Sequence, residues 1–113
     1  MDNVVYVYSH RLKRNEERMM KNFVGSAEVK YLVNNLIVTL DDYDNVYDYI
    51  DTLFGELVKD YNEIKFVLAG FTPFVVHVVD ILRRRYYGGK ITFVYYLKDD
   101  KGVWREHVLE GVN

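Results

Sequence analysis

Two short segments carry the polar groups that could bind a negatively charged ligand. The first follows an apolar run near the start of the chain and supplies a hydroxyl, an imidazole and a guanidinium, from Ser9, His10 and Arg11. The second, Gly70-Phe71-Thr72-Pro73, also follows an apolar run and precedes an apolar helical pattern. The free N–H groups and the positive dipole end of such a helix favour a bound anion. The two segments together predict a phosphate-friendly pocket.

Each part of this pocket has a second interpretation that involves no ligand. Gly70 permits close approach by a ligand, and the Thr72 hydroxyl either bonds a phosphate oxygen or caps the helix in front of Pro73. Ser9 either contacts the ligand or caps the following helix. His10 either contacts the ligand or is a solvated side chain. A hydrolase triad is not indicated, because triads are defined by geometry and the sequence places no third group.

The composition argues against several kinds of site. The chain has no Cys, which rules out disulfides, thiolate nucleophiles and Cys-ligated zinc, and no His/Asp/Glu spacing resembles a metal site. No G-x-G-x-x-G motif occurs, so a nicotinamide or flavin cofactor is not expected. The formal net charge of -2 is unlike that of proteins that grip duplex DNA. We therefore expect no metal, no cofactor and no duplex DNA.

Length and hydropathy predict one small domain that stays out of the membrane. With 113 residues, 50% of them apolar, the chain can bury one hydrophobic core but has little room for a second. We interpret residues 1–113 as a single ligand-binding domain. The longest apolar stretch, Phe66 to Val79, is interrupted by polar and helix-breaking residues, and the N-terminus has no basic leader. The expected location is the cytoplasm.

The first half of the chain predicts a strand, a helix, a less regular segment and a second helix. Asn3 to Tyr8 is β-branched and aromatic, which is typical of a strand buried on both faces. Apolar residues at helical spacing from about Lys13 to Val24, followed by Gly25, predict the first helix. Residues 28–40 fit either one long irregular strand or two strands joined by a tight turn. Asp44 is the predicted N-cap of the second helix.

The second half predicts the elements that complete a doubly wound sheet. Ile64 to Ala69 has a buried-strand pattern and precedes a predicted helix from Thr72 to about Tyr87. Ile91 to Lys98 and Val103 to Leu109 then form a hairpin. This order predicts an α/β, Rossmann-like fold with a doubly wound, mostly parallel sheet and a C-terminal antiparallel edge hairpin. In such sheets ligands bind at the switch point, here between the first strand and the strand ending at Ala69.

The order of elements and two motifs resemble a known family. The opening VVYVYSHRLKRNEERMMKNFVG and the later IKFVLAGFTPFVVHVVDILRRRYYGG, followed by KITFVYYL, resemble a small family of type III CRISPR accessory proteins, the fifteenth in the Csx series. The resemblance covers nearly the full length by order of elements. Its specific residues are few: Ser9, His10, Leu12, Gly70, Thr72 and Pro73.

This resemblance implies a CARF-related domain that binds cyclic oligoadenylate, above all cyclic tetra-adenylate, and thereby damps an antiviral second-messenger signal. It also implies self-association, as a homodimer or a higher homo-oligomer. The implied ligand site comprises Ser9, His10, Gly70, Thr72 and Pro73, with Arg11 and Phe71 in the same two loops. The chain departs from the family in the first loop, where Arg11, Lys13 and Arg14 stand at positions that often hold Pro, Thr and Pro.

Three functions stay open from the sequence. The first is a binder that sequesters the cyclic nucleotide, which we favour because the sequence provides no clear general base. The second is a metal-independent ring nuclease, in which His10 or Lys13 stabilises the transition state or the leaving oxygen. The third is a protein-interaction domain whose aromatic hairpin forms the working surface.

Overall fold

The structure, a computed structural model, describes residues 3–84 and 89–109. In chain order its elements are β1 (Val4–His10), α1 (Arg14–Val24), β2 (Glu28–Val33), α2 (Leu40–Asp60), β3 (Glu63–Val67), α3 (Thr72–Arg83), β4 (Ile91–Lys98) and β5 (Trp104–Val108). Strands and helices alternate as far as β4, and β5 follows β4 through a short turn. None of the helices in these two ranges is long and apolar enough to span a membrane.

The five strands form one sheet in the order β2-β1-β3-β4-β5. β1 pairs in parallel with β2 on one side and with β3 on the other, and β3 pairs in parallel with β4. β5 pairs antiparallel with β4 and forms one edge. The predicted α/β, Rossmann-like fold with a mostly parallel sheet and an antiparallel edge hairpin is confirmed. Because the chain leaves β1 toward β2 and later returns on its other side, the switch point lies between β1 and β3.

Helices cover both faces of the sheet, which explains the uninterrupted apolar run in β1. Val5 and Val7 point into the larger core under α2 and α3, whereas Tyr6 and Tyr8 point into the smaller core under α1. The larger core also contains Ile50, Phe54, Phe66, Phe74 and Val78. Met20 is the buried residue of α1. Strands covered on both faces need apolar side chains on both faces, as observed in β1 from Val4 to Tyr8.

The structure corrects two predictions in the first half of the chain. β1 continues to His10, so Ser9 and His10 are strand residues rather than loop residues. Residues 28–40 form neither one long strand nor two strands, since β2 ends at Val33 and a loop leads to the next helix. The alternation of apolar and polar residues stops at the two asparagines that follow β2. The predicted α1 ends as expected at Gly25, which has a positive φ of 59°.

Two helix starts differ from the predicted ones. The prediction of Asp44 as N-cap is wrong, because the N-cap of α2 is Thr39, five residues earlier. Asp42 accepts a hydrogen bond from the Thr39 backbone N–H at 2.7 Å, which satisfies a free amide at the helix start. The prediction of Thr72 as N-cap is also wrong, because Phe71 is the N-cap and Thr72 is already helical. The predicted end of α3 near Tyr87 lies outside the described residues.

Candidate anion-binding site

β1 and β3 bring the two predicted segments together at the carboxyl edge of the sheet. The strands are parallel neighbours, with Tyr8 in register with Val67, so the residues that follow each strand lie side by side. Ser9 and His10, at the end of β1, are 0% and 8% exposed. The facing turn, Gly70 to Pro73, is exposed and leads into α3. The two segments therefore meet at this edge of the sheet, and we call the place where they meet the crevice.

Two hydrogen bonds join the segments across this crevice. The Ser9 hydroxyl donates to the carbonyl oxygen of Ala69 at 3.0 Å. The backbone N–H of Phe71 donates to Nε2 of His10 at 2.8 Å. Ser9 therefore does not cap α1, whose N-cap is Lys13, and His10 is buried rather than solvated. The two interpretations of Ser9 and His10 that involved no ligand are both wrong.

The contacts of His10 define its tautomer. Nε2 accepts the Phe71 N–H, so this nitrogen carries a lone pair and no proton. Nδ1 lies 3.0 Å from the carbonyl oxygen of Arg11, which accepts hydrogen bonds only. The proton must then be on Nδ1, and the imidazole is neutral in this arrangement. Its Nε2 lone pair occupies the place that an anionic oxygen would take at the start of α3.

Gly70 makes this close contact possible. Its φ is +115°, a conformation that residues with a side chain rarely adopt. A Cβ at this position would lie 2.8 Å from Cδ2 of His10 and 2.9 Å from Oγ of Ser9, and closer still to Nε2. Any larger residue would push the imidazole away from the Phe71 amide. The glycine is therefore required by the backbone and by its neighbours.

The start of α3 keeps further donors for a ligand. The N–H group of Thr72 belongs to the first helical turn, where no preceding helical carbonyl is within reach. Thr72 is exposed, and within the described part of the chain its hydroxyl has no hydrogen-bond partner. The Phe71 side chain is 51% exposed beside them. The turn thus combines amide donors, a hydroxyl and an exposed ring.

Arg11 and Lys13, the other two predicted residues, lie outside the contacts that join the two segments. The backbone N–H of Arg11 donates to the carbonyl oxygens of Val33 and Asn35 at 3.0 and 3.2 Å, which holds the loop after β2 beside β1. The Arg11 guanidinium is exposed and lies 4.0 Å from Glu17. Lys13 is exposed at the N-cap of α1. The structure does not bring Lys13 to the Gly70 to Pro73 turn.

A cavity beside the turn extends along α3. It has a volume of about 780 Å³ and is lined by Gly70, Thr72 and Pro73 at one end and by Asp80 and Arg83 farther along the helix. Tyr43 of α2 and His77 of α3 also line it, with ring centroids 5.7 Å apart. Sequence patterns gave no reason to pair these two rings, because the packing of α2 on α3 brings them together. Ser9 and His10 are not among the residues that line this cavity.

A second polar group of residues, which sequence reasoning missed, lies under α1. We call Tyr6, Lys65, Tyr96 and Glu106 the α1-face cluster. Lys65 Nζ lies 2.8 Å from Glu106 Oε1, and the Tyr96 hydroxyl donates to Oε2 of the same carboxylate at 2.8 Å. The Tyr6 hydroxyl donates to the Phe23 carbonyl at 3.1 Å and lies 3.3 Å from Glu106. The cluster connects β1, β3, β4 and β5.

The titration of this cluster follows from its burial and its pairing. Burial raises the pKa of Glu106, but hydrogen bonds from Lys65 and Tyr96 lower it more, so the carboxyl pKa is below its ordinary value. Burial lowers the pKa of Lys65, and its bonds to Glu106 and Tyr6 reverse this, so the net pKa is raised. Burial and the adjacent carboxylate raise the pKa of Tyr96. The pair is therefore ionised and both tyrosines are neutral at pH 7.

Comparison with known proteins adds no assignment to this geometry. No protein-family model matches the chain, and no curated protein matches it either. Within residues 3–84 and 89–109, no group of three or more His, Asp or Glu side chains is arranged to hold a metal ion.

Proposed function

We propose that the chain binds a cyclic oligoadenylate, above all cyclic tetra-adenylate, and sequesters it from type III CRISPR signalling in the cytoplasm. The observation that carries this proposal is the hydrogen bond from the Phe71 N–H to Nε2 of His10 at 2.8 Å. An amide at a helix start is paired there with a neutral, buried side chain that a ligand can replace. A phosphate oxygen is a stronger acceptor for the same amide than an imidazole nitrogen, because it is charged.

Binding in this proposal exchanges one acceptor for another. The phosphate would accept from the amides of Phe71 and Thr72 and from the Thr72 hydroxyl, while the imidazole moves aside. Once released, His10 can donate to the phosphate through a ring N–H. The exposed ring of Phe71, 51% exposed, provides a surface against which an adenine can stack. Arg11 contributes positive charge at the margin of the crevice.

Because the proposed ligand is large, we expect two or more chains to bind it together. One chain offers one such turn, whereas a cyclic tetranucleotide presents four phosphates related by internal symmetry, so a two-fold pair of chains would match it better. Large apolar side chains are exposed in the loop between β2 and α2 and at the start of α2, at the same edge of the sheet: Leu36 at 54%, Ile37 at 76% and Leu40 at 82%. These residues supply apolar surface next to the crevice for a second copy.

Retention of labelled cyclic tetra-adenylate tests the proposal directly. Pure protein is mixed with the labelled ring in the presence of a chelator, and bound label and linear products are measured separately. Retention without products supports sequestration, and linear products support the ring nuclease instead. If the protein neither retains the ring nor forms linear products, the protein-interaction domain is the function that remains. Gel filtration of the chain with and without the ring tests self-association, which a monomer under both conditions contradicts.

Sequestration is favoured over cleavage by the placement of the two candidate catalytic residues. Both ring nitrogens of His10 are engaged, one with the Phe71 amide and one with the Arg11 carbonyl. Lys13 is exposed at the N-cap of α1 and takes no part in the hydrogen bonds of the crevice. Before a ligand binds, the described crevice therefore has no general base with a free lone pair, because the lone pair on Nε2 of His10 accepts the Phe71 amide.

A further inference from the structure

A groove between α1 and the edge strand β2 has features that the proposed function does not use. It has a volume of about 490 Å³ and lies on the α1 side of the sheet. We call it the basic groove and define it by six of its lining residues: Arg14, Arg18, Lys21, Ala27, Val29 and Tyr31. It begins at the N-terminal end of α1, near the carboxyl edge of the sheet, and follows that helix to its other end.

The basic groove contains three cations that no carboxylate within residues 3–84 and 89–109 neutralises. Arg14, Arg18 and Lys21 are spaced four and three residues apart, so they form one row along α1, and all three are exposed. Within the described ranges, none of them has a carboxylate partner or a side-chain hydrogen bond. Five other cations do have carboxylate partners: Arg11, Lys30, Lys65, Arg84 and Arg105.

The acidic residue inside the groove is already engaged. Glu17 accepts a hydrogen bond from the Tyr31 hydroxyl at 3.0 Å and lies 4.0 Å from Arg11. This bond also fixes the Tyr31 ring, whose centroid is 5.5 Å from that of Tyr8. A half-buried aromatic ring is therefore held in place beside the row of cations. A neutralising carboxylate and a flexible tyrosine would each have argued against a ligand.

These features define the chemistry of the ligand. Arg14 and Lys21 are seven residues apart, about 10 Å along a helix, so a ligand that uses all three cations must carry several negative charges over that length. The Tyr31 ring offers a stacking surface for a planar base. We propose that the basic groove binds a linear single-stranded oligonucleotide, with its phosphates on the three cations and one base against Tyr31.

Two other polyanions fit the groove less well. A helix that binds a membrane surface exposes large apolar side chains beside its cations. In α1, however, Met20 is buried and Phe23 packs against Tyr96, and none of the exposed large apolar residues lies on α1. Duplex nucleic acid presents a wide, convex surface to a narrow groove, and the chain is acidic overall. The concave shape and the ordered ring favour a single strand.

Fluorescence anisotropy with a short labelled linear oligoadenylate tests the proposal. With three phosphate contacts, the affinity should fall about twentyfold between about 50 and about 200 mM salt, since each contact adds about 0.7 to the slope of log affinity against log salt for a single strand. The triple variant Arg14→Glu, Arg18→Glu, Lys21→Glu should lose this binding and its salt dependence. Circular dichroism of the same variant shows whether it is folded.

A matched variant separates the groove from net charge. Lys59→Glu, Lys98→Glu and Lys101→Glu together change the net charge by the same amount at exposed positions on α2 and the β4–β5 hairpin. This control should keep its affinity within about threefold, because none of its three lysines lines the groove. An equal loss in both variants would mean that overall charge, and not the groove, attracts the oligonucleotide, and would overturn the proposal.

Substitutions of Tyr31 test the base contact. Tyr31→Leu should weaken binding about fivefold or more, whereas Tyr31→Phe, which keeps the ring but loses the hydrogen bond to Glu17, should weaken it less. The same affinity in all three proteins, or binding to anionic vesicles without binding to the oligonucleotide, contradicts the proposal. Thr72→Ala should leave linear binding unchanged. Loss of cyclic tetra-adenylate retention in Thr72→Ala therefore reports on the crevice alone, and the two proposals can fail separately.

Discussion

The carboxyl-edge crevice and the α1-face cluster are both polar regions in a small apolar fold, but they are built differently. The crevice combines neutral groups at the ends of elements, and its central bond joins a backbone amide to the His10 imidazole. The α1-face cluster contains an ion pair inside the sheet, with Lys65 and Glu106 21% and 20% exposed. Each group in the cluster has a partner from another strand.

Because of this difference, we expect the crevice to bind a ligand and the α1-face cluster to stabilise the fold. Removing one partner of a half-buried ion pair leaves the other charge unpaired in an apolar environment, which lowers the stability of the fold. Replacing a neutral acceptor by a charged ligand oxygen improves the bond to the same amide. The cluster is therefore expected to hold the β4–β5 hairpin to the sheet, and the crevice to exchange partners. The variants below test this distinction.

The largest effect is expected from Lys65→Met, which leaves the Glu106 carboxylate half-buried without its cation. We expect a loss of about 3 kcal/mol in the free energy of unfolding. Urea denaturation followed by circular dichroism measures it. Adding Glu106→Leu to the same chain should restore most of the stability, because two apolar residues then replace the pair.

An exposed ion pair provides the control for this prediction. Arg84 lies 3.0 Å from Asp80 one helical turn earlier, with side chains 75% and 52% exposed. Arg84→Met should cost no more than about 0.5 kcal/mol, because such surface pairs contribute little. Equal losses in Lys65→Met and Arg84→Met would contradict a structural role for the α1-face cluster.

The next largest effect is expected at Gly70. Gly70→Ala should destabilise the fold by about 2 kcal/mol, because it combines an unfavourable positive φ with a clash against His10 and Ser9. Gly102→Ala is the matched control, since Gly102 also has a positive φ of +78° but no atom near its Cβ position. The control should lose about 1 kcal/mol. Similar losses in both variants would mean that the contact with His10 contributes nothing.

The sequence predicts the sheet better than it predicts the details of either polar region. Apolar runs identified β1 and β3, and the rules of doubly wound sheets placed their ends together. The contact between His10 and the Phe71 amide was not predictable, because it depends on a side-chain rotamer and on the φ of Gly70. Two helix starts were misplaced because several capping residues occur close together.

The α1-face cluster was missed for a related reason. Lys65 and Glu106 are 41 residues apart in the chain, and neither stands in a motif. Lys65 lies inside an otherwise apolar strand pattern, and this single cation among apolar residues was the available signal. Its partner could be found only from the register of β4 and β5, which opposes Tyr96 to Glu106.

A smaller effect is expected from His10→Ala. Removing the imidazole leaves the Phe71 amide without its acceptor, so the free energy of unfolding should fall by about 1 kcal/mol. Retention of cyclic tetra-adenylate should weaken about tenfold, since one hydrogen bond to a charged phosphate is lost. His77→Ala, which removes the histidine that lines the cavity along α3, should bind the ring normally. A His10→Ala protein that retains the ring fully but no longer cleaves it would favour the ring nuclease.

The smallest effect is the pH dependence of the α1-face cluster. The folded-state pKa of Glu106 lies below the ordinary value of 4.5, so the unfolded chain binds a proton at this residue more readily than the folded chain does. Its contribution to stability is therefore complete above that ordinary value and is lost as the pH falls through the lowered folded-state pKa. Denaturation midpoints between neutral and acidic pH measure the loss. In Glu106→Gln, which cannot ionise, this part of the acid dependence should vanish, whereas the crevice, whose central contact does not involve Glu106, should bind its ligand as before.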